Sequence, residues 1–232
     1  MKIGIIAAMS EELQAILKNI EFSSKKKILN IEFAEGKINN KDIVLVESGI
    51  GKVNAARTTQ ILIDKYNVDY VINIGVAGAI SENLQIGDVV IGKYLVQHDF
   101  DITAFGHDLG YITGVGKEIY SDEYLINLFK SVLDNSNIKG MLGVIASGDI
   151  FCNSKELSLK IHDKFLADCV EMEGAAIAQV CFLSNVPFVV LRSISDVVNG
   201  TNEVDFDEFL ESSSEIIANI LKKGIEIINS SR

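Results

Sequence analysis

The chain has 232 residues, 48% of them hydrophobic, enough to bury one large α/β core. A net charge of −11, with no basic run longer than Lys25, Lys26 and Lys27, argues against a nucleic-acid partner. One proline, Pro187, and singly scattered glycines leave no linker or low-complexity stretch, so residues 1–232 are expected to form a single domain.

Cys152, Cys169 and Cys181 are odd in number and lack CxxC spacing, which points away from disulfides and zinc and towards a reducing cytoplasm. The opening MKIGIIAAMSEE ends its apolar stretch too early for a signal peptide, and no later run approaches membrane-spanning length. No membrane partner is expected.

In chain order, residues 2–8 read as a first strand, and Ser10 is placed to cap a helix through Leu13, Ile16 and Leu17 with Glu11 and Glu12 in its first turn. The basic triplet at 25–27 reads as a solvated loop. Strands at 31–35 and 43–47 would form a hairpin turned by Asn39 and Asn40. The loop Ser48-Gly49-Ile50-Gly51-Lys52, whose glycines allow close backbone approach, leads into a helix over 53–66. Residues 70–74 form a buried strand, with Gly75-Val76-Ala77-Gly78 as a small-residue loop at its exit where a planar ligand could lie. A strand at 89–91 precedes an irregular stretch, 97–116, that holds His98, Asp99, Asp101, Phe105 and His107. A helix over 124–133, a strand over 141–146, an exit loop Ser147-Gly148-Asp149-Ile150-Phe151 and a helix over 154–165 follow. An amphipathic helix over 206–228 closes the chain. Strands alternating with helices predict a three-layer α/β domain.

The stretch VEMEGAAIAQVCFLSNVPFVVLRSISD, residues 170–196, gathers Glu171, Glu173, Arg192 and Asp196 at the ends of apolar segments. Between them, 174–183 has helical apolar spacing and 188–191 is a continuous apolar run suited to a strand buried on both faces. Residues 192–196 then fall at a strand's carboxyl end, where ligands collect in open α/β sheets. The plainer alternative is that Glu173 only starts a helix and that Arg192 and Asp196 form a structural ion pair.

Several motifs fail. No glycine-lysine pair is followed by Ser or Thr, and Gly49-x-Gly51 meets Asn54 where a dinucleotide fingerprint needs its third glycine. The His98, Asp99, Asp101 and His107 group matches no metal spacing. Ser147 lacks a G-x-S-x-G frame. No cofactor or metal is expected. Three carboxylates remain at strand ends, Glu12, Glu173 and Asp196. Carboxylates converging this way can cleave a glycosidic bond, one protonating the leaving group and one activating water.

GIIAAMSEE, SGIGKVNAA, NIGVAGA, SGDIF, VEMEGAAIA, PFVVLRSISD and FDEF, in this order along nearly the whole chain, resemble the bacterial 5'-methylthioadenosine/S-adenosylhomocysteine nucleosidases of the purine nucleoside phosphorylase superfamily. The resemblance implies a nucleoside phosphorylase-like three-layer sandwich, with a central mixed β-sheet flanked by helices, that hydrolyses a small-molecule nucleoside. It implies that Asp196 protonates adenine N7, Glu12 deprotonates the attacking water, Glu173 binds the ribose hydroxyls and Arg192 positions the acids. It further implies that Phe151 stacks on adenine, with backbone around Cys152 reading the base edge, and that Met172 packs under the ribose. Met9, Ile50 and Phe206 would surround the 5'-alkylthio group, and Gly78 and Ser195 would complete the wall. Phe105 would enter the neighbouring subunit's site, which implies a homodimer. Position 76, often serine in bacterial members, is Val76 here, a hydroxyl fewer on the water and ribose side. A phosphorylase, a hydrolase of inosine or futalosine type, and a non-catalytic nucleoside binder on the same fold stay open as alternatives. Phosphate favours arginine. Here the arginines are only Arg57, Arg192 and Arg232, and Glu11 and Glu12 would repel the anion, so hydrolysis is the better expectation.

Overall fold

The computed structural model describes residues 1–18, 20–198 and 202–229. The chain runs β1 (Lys2–Ala7), α1 (Ser10–Leu17), β2 (Glu21–Ile28), β3 (Ile31–Ile38), β4 (Lys41–Glu47), α2 (Lys52–Tyr66), β5 (Tyr70–Ala79) and β6 (Val89–Gln97). A 3₁₀ turn (Thr103–Phe105) follows, then β7 (Ile119–Tyr120), α3 (Glu123–Asp134), β8 (Gly140–Ser147), α4 (Lys155–Phe165), β9 (Cys169–Glu171), α5 (Gly174–Leu183), β10 (Phe188–Val197) and α6 (Asn202–Ile227).

All of these strands join one mixed sheet. Along it, β2, β3, β4, β1 and β5 lie side by side, and beyond β5 the sheet curls on itself. There β10 pairs with both β5 and β6, β6 with β8, β8 with β9, and β9 returns to β5. The two partners on one edge of β5 do not meet: β1 pairs with it from Tyr70 to Asn73, and β9 takes over only at Gly78 and Ala79. The backbone between is left open to side chains from elsewhere, and the site forms at this split, as it does where neighbouring strands diverge in open sheets.

Alternation along the buried strands separates two cores. Ile3, Ile5, Ile72, Ile74, Val189 and Leu191 face α1, α3 and α6. Ile6, Val44, Val46, Val71 and Val190 face α2 and α5. Helices therefore cover both faces, the three-layer arrangement expected. Leu62 of α2 presses so close to β1 that a Cβ on Gly4 would lie 2.6 Å from its side chain.

The structure corrects several local expectations. Ser10 is the first helical residue, not the cap: the cap position is Met9, whose N–H, with that of Ala8, is satisfied by Glu12. The basic triplet lies on β2, an exposed edge strand that pairs antiparallel with β3, and lysines on such an edge discourage pairing with other chains. The hairpin turn at Asn39 and Asn40 is as expected, both in left-handed conformation (φ 45° and 62°). Gly75 to Gly78 is not a loop but the buried end of β5, and Arg192 to Asp196 lies inside β10. Gln97 ends a longer β6, and the last helix begins at Asn202. Among the described residues, no helix is long and apolar enough to cross a membrane.

Candidate active site

A cavity of about 350 Å³ opens where β1, β5, β9 and β10 end. Glu12, Glu173 and Asp196 all reach its wall.

Glu12 is carried one turn into α1 and turned back over the end of β1. Its Oε2 accepts the N–H groups of Ala8 (2.8 Å) and Met9 (3.0 Å), and its Oε1 accepts that of Val76 (3.0 Å). Three backbone donors thus fix the carboxylate and leave Oε1 room for one further donor from the cavity. Gly75 makes this possible, since a Cβ there would lie 2.7 Å from Glu12 Oε1 and 3.3 Å from the Arg192 guanidinium carbon. Val76 meets Glu12 through its backbone N–H, a contact that does not use the side chain, so the serine hydroxyl is not needed to hold this acid. Burial pushes the Glu12 pKa up, against the opposing pull of the Arg192 charge and of the three N–H donors.

Arg192 stands behind the wall rather than on it, 1% exposed. Its NH2 donates to Asn73 Oδ1 (2.7 Å) and to Glu171 Oε2, and its NH1 to the Leu191 carbonyl (3.1 Å). The ion pair alternative with Asp196 is therefore replaced by one with Glu171. Glu171 also accepts the N–H groups of Glu173 (3.1 Å) and Gly174 (2.7 Å) and the Ser147 hydroxyl. Ser147 in turn accepts the N–H of Ala175 (2.7 Å), so the first turn of α5 is tied to β8 and β10. The sequence pattern marks Glu171 without a role for it, does not single out Asn73, and reads Ser147 as an exit-loop residue, whereas it is the last residue of β8.

Glu173 follows β9 and accepts the Gly51 N–H at the start of α2 through Oε1 (2.8 Å). Burial first, then the charge of Glu171, push its pKa up to about 8, against Arg192 and the Gly51 N–H. Hydroxyl donors brought to its oxygens would favour the ionised form.

Asp196 is 2% exposed. The Ser195 hydroxyl donates to its Oδ1 (2.7 Å). Gly78 on the paired strand gives it space, as a Cβ there would lie 2.9 Å from Asp196 Oδ2.

The remaining wall is apolar: Met9, Ile50, Val76, Ile150, Phe151, Cys152, Met172 and Phe206 line it, with Gly78 and Ser195 beside Asp196. Phe151 and Phe206 meet edge to face, ring centres 5.7 Å apart. Burial pushes the Cys152 thiol up, despite a contact with the Ser154 backbone, so it lines the wall as a thiol. Phe105 is elsewhere, 82% exposed on the 3₁₀ turn and outside the cavity. Within 97–116, Asp99 pairs with Lys52, Asp101 accepts the Thr103 N–H, and His98 is buried against Gly148 with its Nε2 unpaired among the described residues. Among the described residues no group of His, Cys, Asp or Glu is arranged to hold a metal.

Three carboxyl groups in an otherwise largely apolar cavity lining are suited to a neutral ligand with one aromatic and one hydroxylated half. Comparison with known proteins gives the same direction. A model of the Phosphorylase superfamily matches residues 2–226. The 5'-methylthioadenosine/S-adenosylhomocysteine nucleosidase of Staphylococcus haemolyticus is 42% identical over 225 residues, covering 95% of this chain and 99% of the relative. Two solved structures from Helicobacter pylori, a futalosine hydrolase and a 5'-methylthioadenosine/S-adenosylhomocysteine nucleosidase with a bound inhibitor, are each 40% identical with a TM-score of 0.95. Each covers 98% of this chain, with 98% and 99% of their own chains matched. On a family match across nearly its whole length and a relative of this identity, the chain belongs to the phosphorylase superfamily, and within it to the 5'-methylthioadenosine/S-adenosylhomocysteine nucleosidase family.

Proposed function

We propose that the protein hydrolyses the N-glycosidic bond of 5'-methylthioadenosine and S-adenosylhomocysteine, releasing adenine and the 5'-thioribose product. The observation that carries this reading is that Glu12, Glu173 and Asp196 line the same cavity as Phe151. Adenine lies against Phe151, with the Cys152 backbone at its edge, and the apolar 5'-substituent faces Met9, Ile50 and Phe206. Ribose hydroxyls donate to Glu173 above Met172.

As the bond from C1' to N9 breaks, its electron pair moves into adenine and Asp196 delivers a proton to N7. The sugar becomes oxocarbenium-like, and the ionised carboxylates on its side stabilise that charge. A water donating to the open side of Glu12 Oε1 attacks C1' and gives up its proton there. Val76, Ala8 and Met9 hold Glu12 by backbone alone, so its direction is fixed before substrate arrives. Arg192 acts through others, balancing the buried carboxylates and fixing Glu171.

Water is favoured over phosphate as nucleophile because no Lys or Arg lies on the cavity wall among the described residues, and the nearby Arg192 is committed to Glu171 and Asn73. Phosphate would meet carboxylates instead of the donors it needs. Futalosine hydrolysis is the second reading, favoured by the equal likeness to the Helicobacter pylori enzyme of that name. A substrate panel separates them. Adenine release from methylthioadenosine and adenosylhomocysteine is expected at higher kcat/KM than base release from futalosine or inosine, and the reverse order would overturn the assignment.

Phe151→Ala removes stacking area and no proton donor, so affinity for an unreactive adenine nucleoside should fall by about 1 to 3 kcal/mol. Calorimetric titration of the folded variant checks this, and unchanged affinity would make Phe151 a packing residue only.

A homodimer is part of the proposal, supported by the family resemblance at Phe105 and by the exposure of that large aromatic. Light scattering at assay concentration should give twice the mass of the chain, and Phe105→Ala should raise KM. A fully active monomer at high dilution would contradict it. A single domain is supported by the one sheet that holds every strand among the described residues, and a reducing cytoplasm by three buried cysteines that form no disulfide there.

A further inference from the structure

Two loops form neighbouring lips of the cavity: one carries Ile50 and Gly51 into α2, the other carries Ile150 and Phe151 out of β8. No strand pairing joins them. What joins them is a set of side chains drawn partly from the end of β6. Lys52 Nζ donates to Asp99 Oδ1 (2.5 Å) and to Gln97 Oε1 (3.2 Å), and the second oxygen of the same Asp99 accepts the Asp149 N–H (2.9 Å). The Asp149 carboxylate then returns the connection, accepting the Lys52 N–H through Oδ1 (2.8 Å). The ring is closed: lip, Lys52, Asp99, Asp149, lip.

The surroundings stiffen it. Asp99 and Lys52 side chains are only 20% and 16% exposed, so the ion pair is shielded more than a surface pair. Gln97 is held by Gln179 of α5 (2.7 Å). His98 sits beneath the second lip so tightly that a Cβ on Gly148 would lie 2.2 Å from its Nε2. Gly51 has φ +98° and its N–H anchors Glu173, so the first lip is also the seat of a cavity acid.

We propose that Asp99 and Lys52 are positioning residues that clasp the two lips at the separation an adenine nucleoside requires. The inference rests on the substrate reading given above. Both Asp99 oxygens are used, one on a donor from each lip, so a residue there must offer two acceptors at once. Asn offers only one, and its amide would turn a donor towards either Lys52 or the Asp149 N–H. Glu12 and Asp196 are held by separate contacts and Glu173 meets the first lip only through the Gly51 N–H, so loosening the clasp acts on ribose and base binding more than on the water and the leaving group.

The test compares Asp99→Asn, Lys52→Met and Lys52→Arg with the unaltered enzyme, reading methylthioadenosine kinetics and, without any ligand, amide hydrogen exchange. Asp99→Asn and Lys52→Met are expected to raise KM by about tenfold, the scale of one lost charge-assisted hydrogen bond, with kcat within about threefold. Lys52→Arg keeps the charge and the donors and should restore KM to within about threefold of the unaltered enzyme. In the free protein, the Asp149 and Lys52 amides should exchange faster in the first two variants. Lys52→Met retains the aliphatic stem, so its readings decide the matter even where Asp99→Asn does not fold. An unchanged KM with unchanged exchange in folded Lys52→Met overturns the clasp, as does a fall in kcat at constant KM. Since exchange needs no substrate, a protein that ignores methylthioadenosine but shows the exchange change would refute the substrate reading and leave the clasp standing.

Discussion

Asp196→Asn is expected to lose about 10²- to 10⁴-fold in turnover on methylthioadenosine while it still binds an unreactive analogue, the range typical of a general acid. The substitution keeps the shape and leaves Ser195 a partner, since the amide oxygen can accept the same hydroxyl that Asp196 Oδ1 accepts. What it removes is the proton that must reach N7 as the bond to N9 breaks. Steady-state kinetics with a parallel binding titration separates the two effects. Near-normal turnover in a folded variant would remove Asp196 from the mechanism, and loss of folding with loss of binding would make it a structural group only.

Glu12→Gln is expected to fall by a similar factor, about 10²- to 10⁴-fold, because water then has no base. A second cost is geometric. Glu12 accepts three backbone N–H groups with its two oxygens, and the amide nitrogen of Gln would confront either Val76 or the Ala8 and Met9 pair with another donor. The pH profile separates chemistry from geometry. A base must be ionised, and burial raises the Glu12 pKa, so the acid limb of kcat/KM in the unaltered enzyme should lie above the ordinary glutamate value of 4.5. Activity is then lost as pH falls through the raised pKa. In the Gln variant the part of that limb set by Glu12 should vanish along with the rate, leaving only the part set by Glu173. Because both groups act on one transition state, the double variant should be little worse than the more damaged single one.

The carboxylates were legible in the sequence because each sits beside a break in a regular element: Glu12 after MSE, Glu173 before a helical run, Asp196 after a buried apolar strand. Their surroundings were less so. Gly75 to Gly78 reads as a loop by composition, yet it is strand, and its smallness serves neighbours: the carboxylate oxygens of Glu12 and Asp196 lie 2.7 and 2.9 Å from where Cβ atoms at Gly75 and Gly78 would be. No local rule pairs Arg192 with Glu171, which are 21 residues apart, or Asp99 with Asp149, 50 apart. Such contacts are made by tertiary packing across β6, β8, β9 and β10. The strand β2 was hidden for the opposite reason, since Ser23 to Lys27 is polar on both faces and an edge strand needs no apolar alternation when so little of it is buried. Patterning found the layers and the acids. It could not find the ion pairs that hold them in place.

The most direct test of hydrolysis by water is the identity of the sugar released from methylthioadenosine by the unaltered enzyme, in paired reactions with and without saturating phosphate. Free methylthioribose, formed at the same rate in both, is the expected result. A sugar 1-phosphate that appears with phosphate, or turnover that depends on it, would contradict the account.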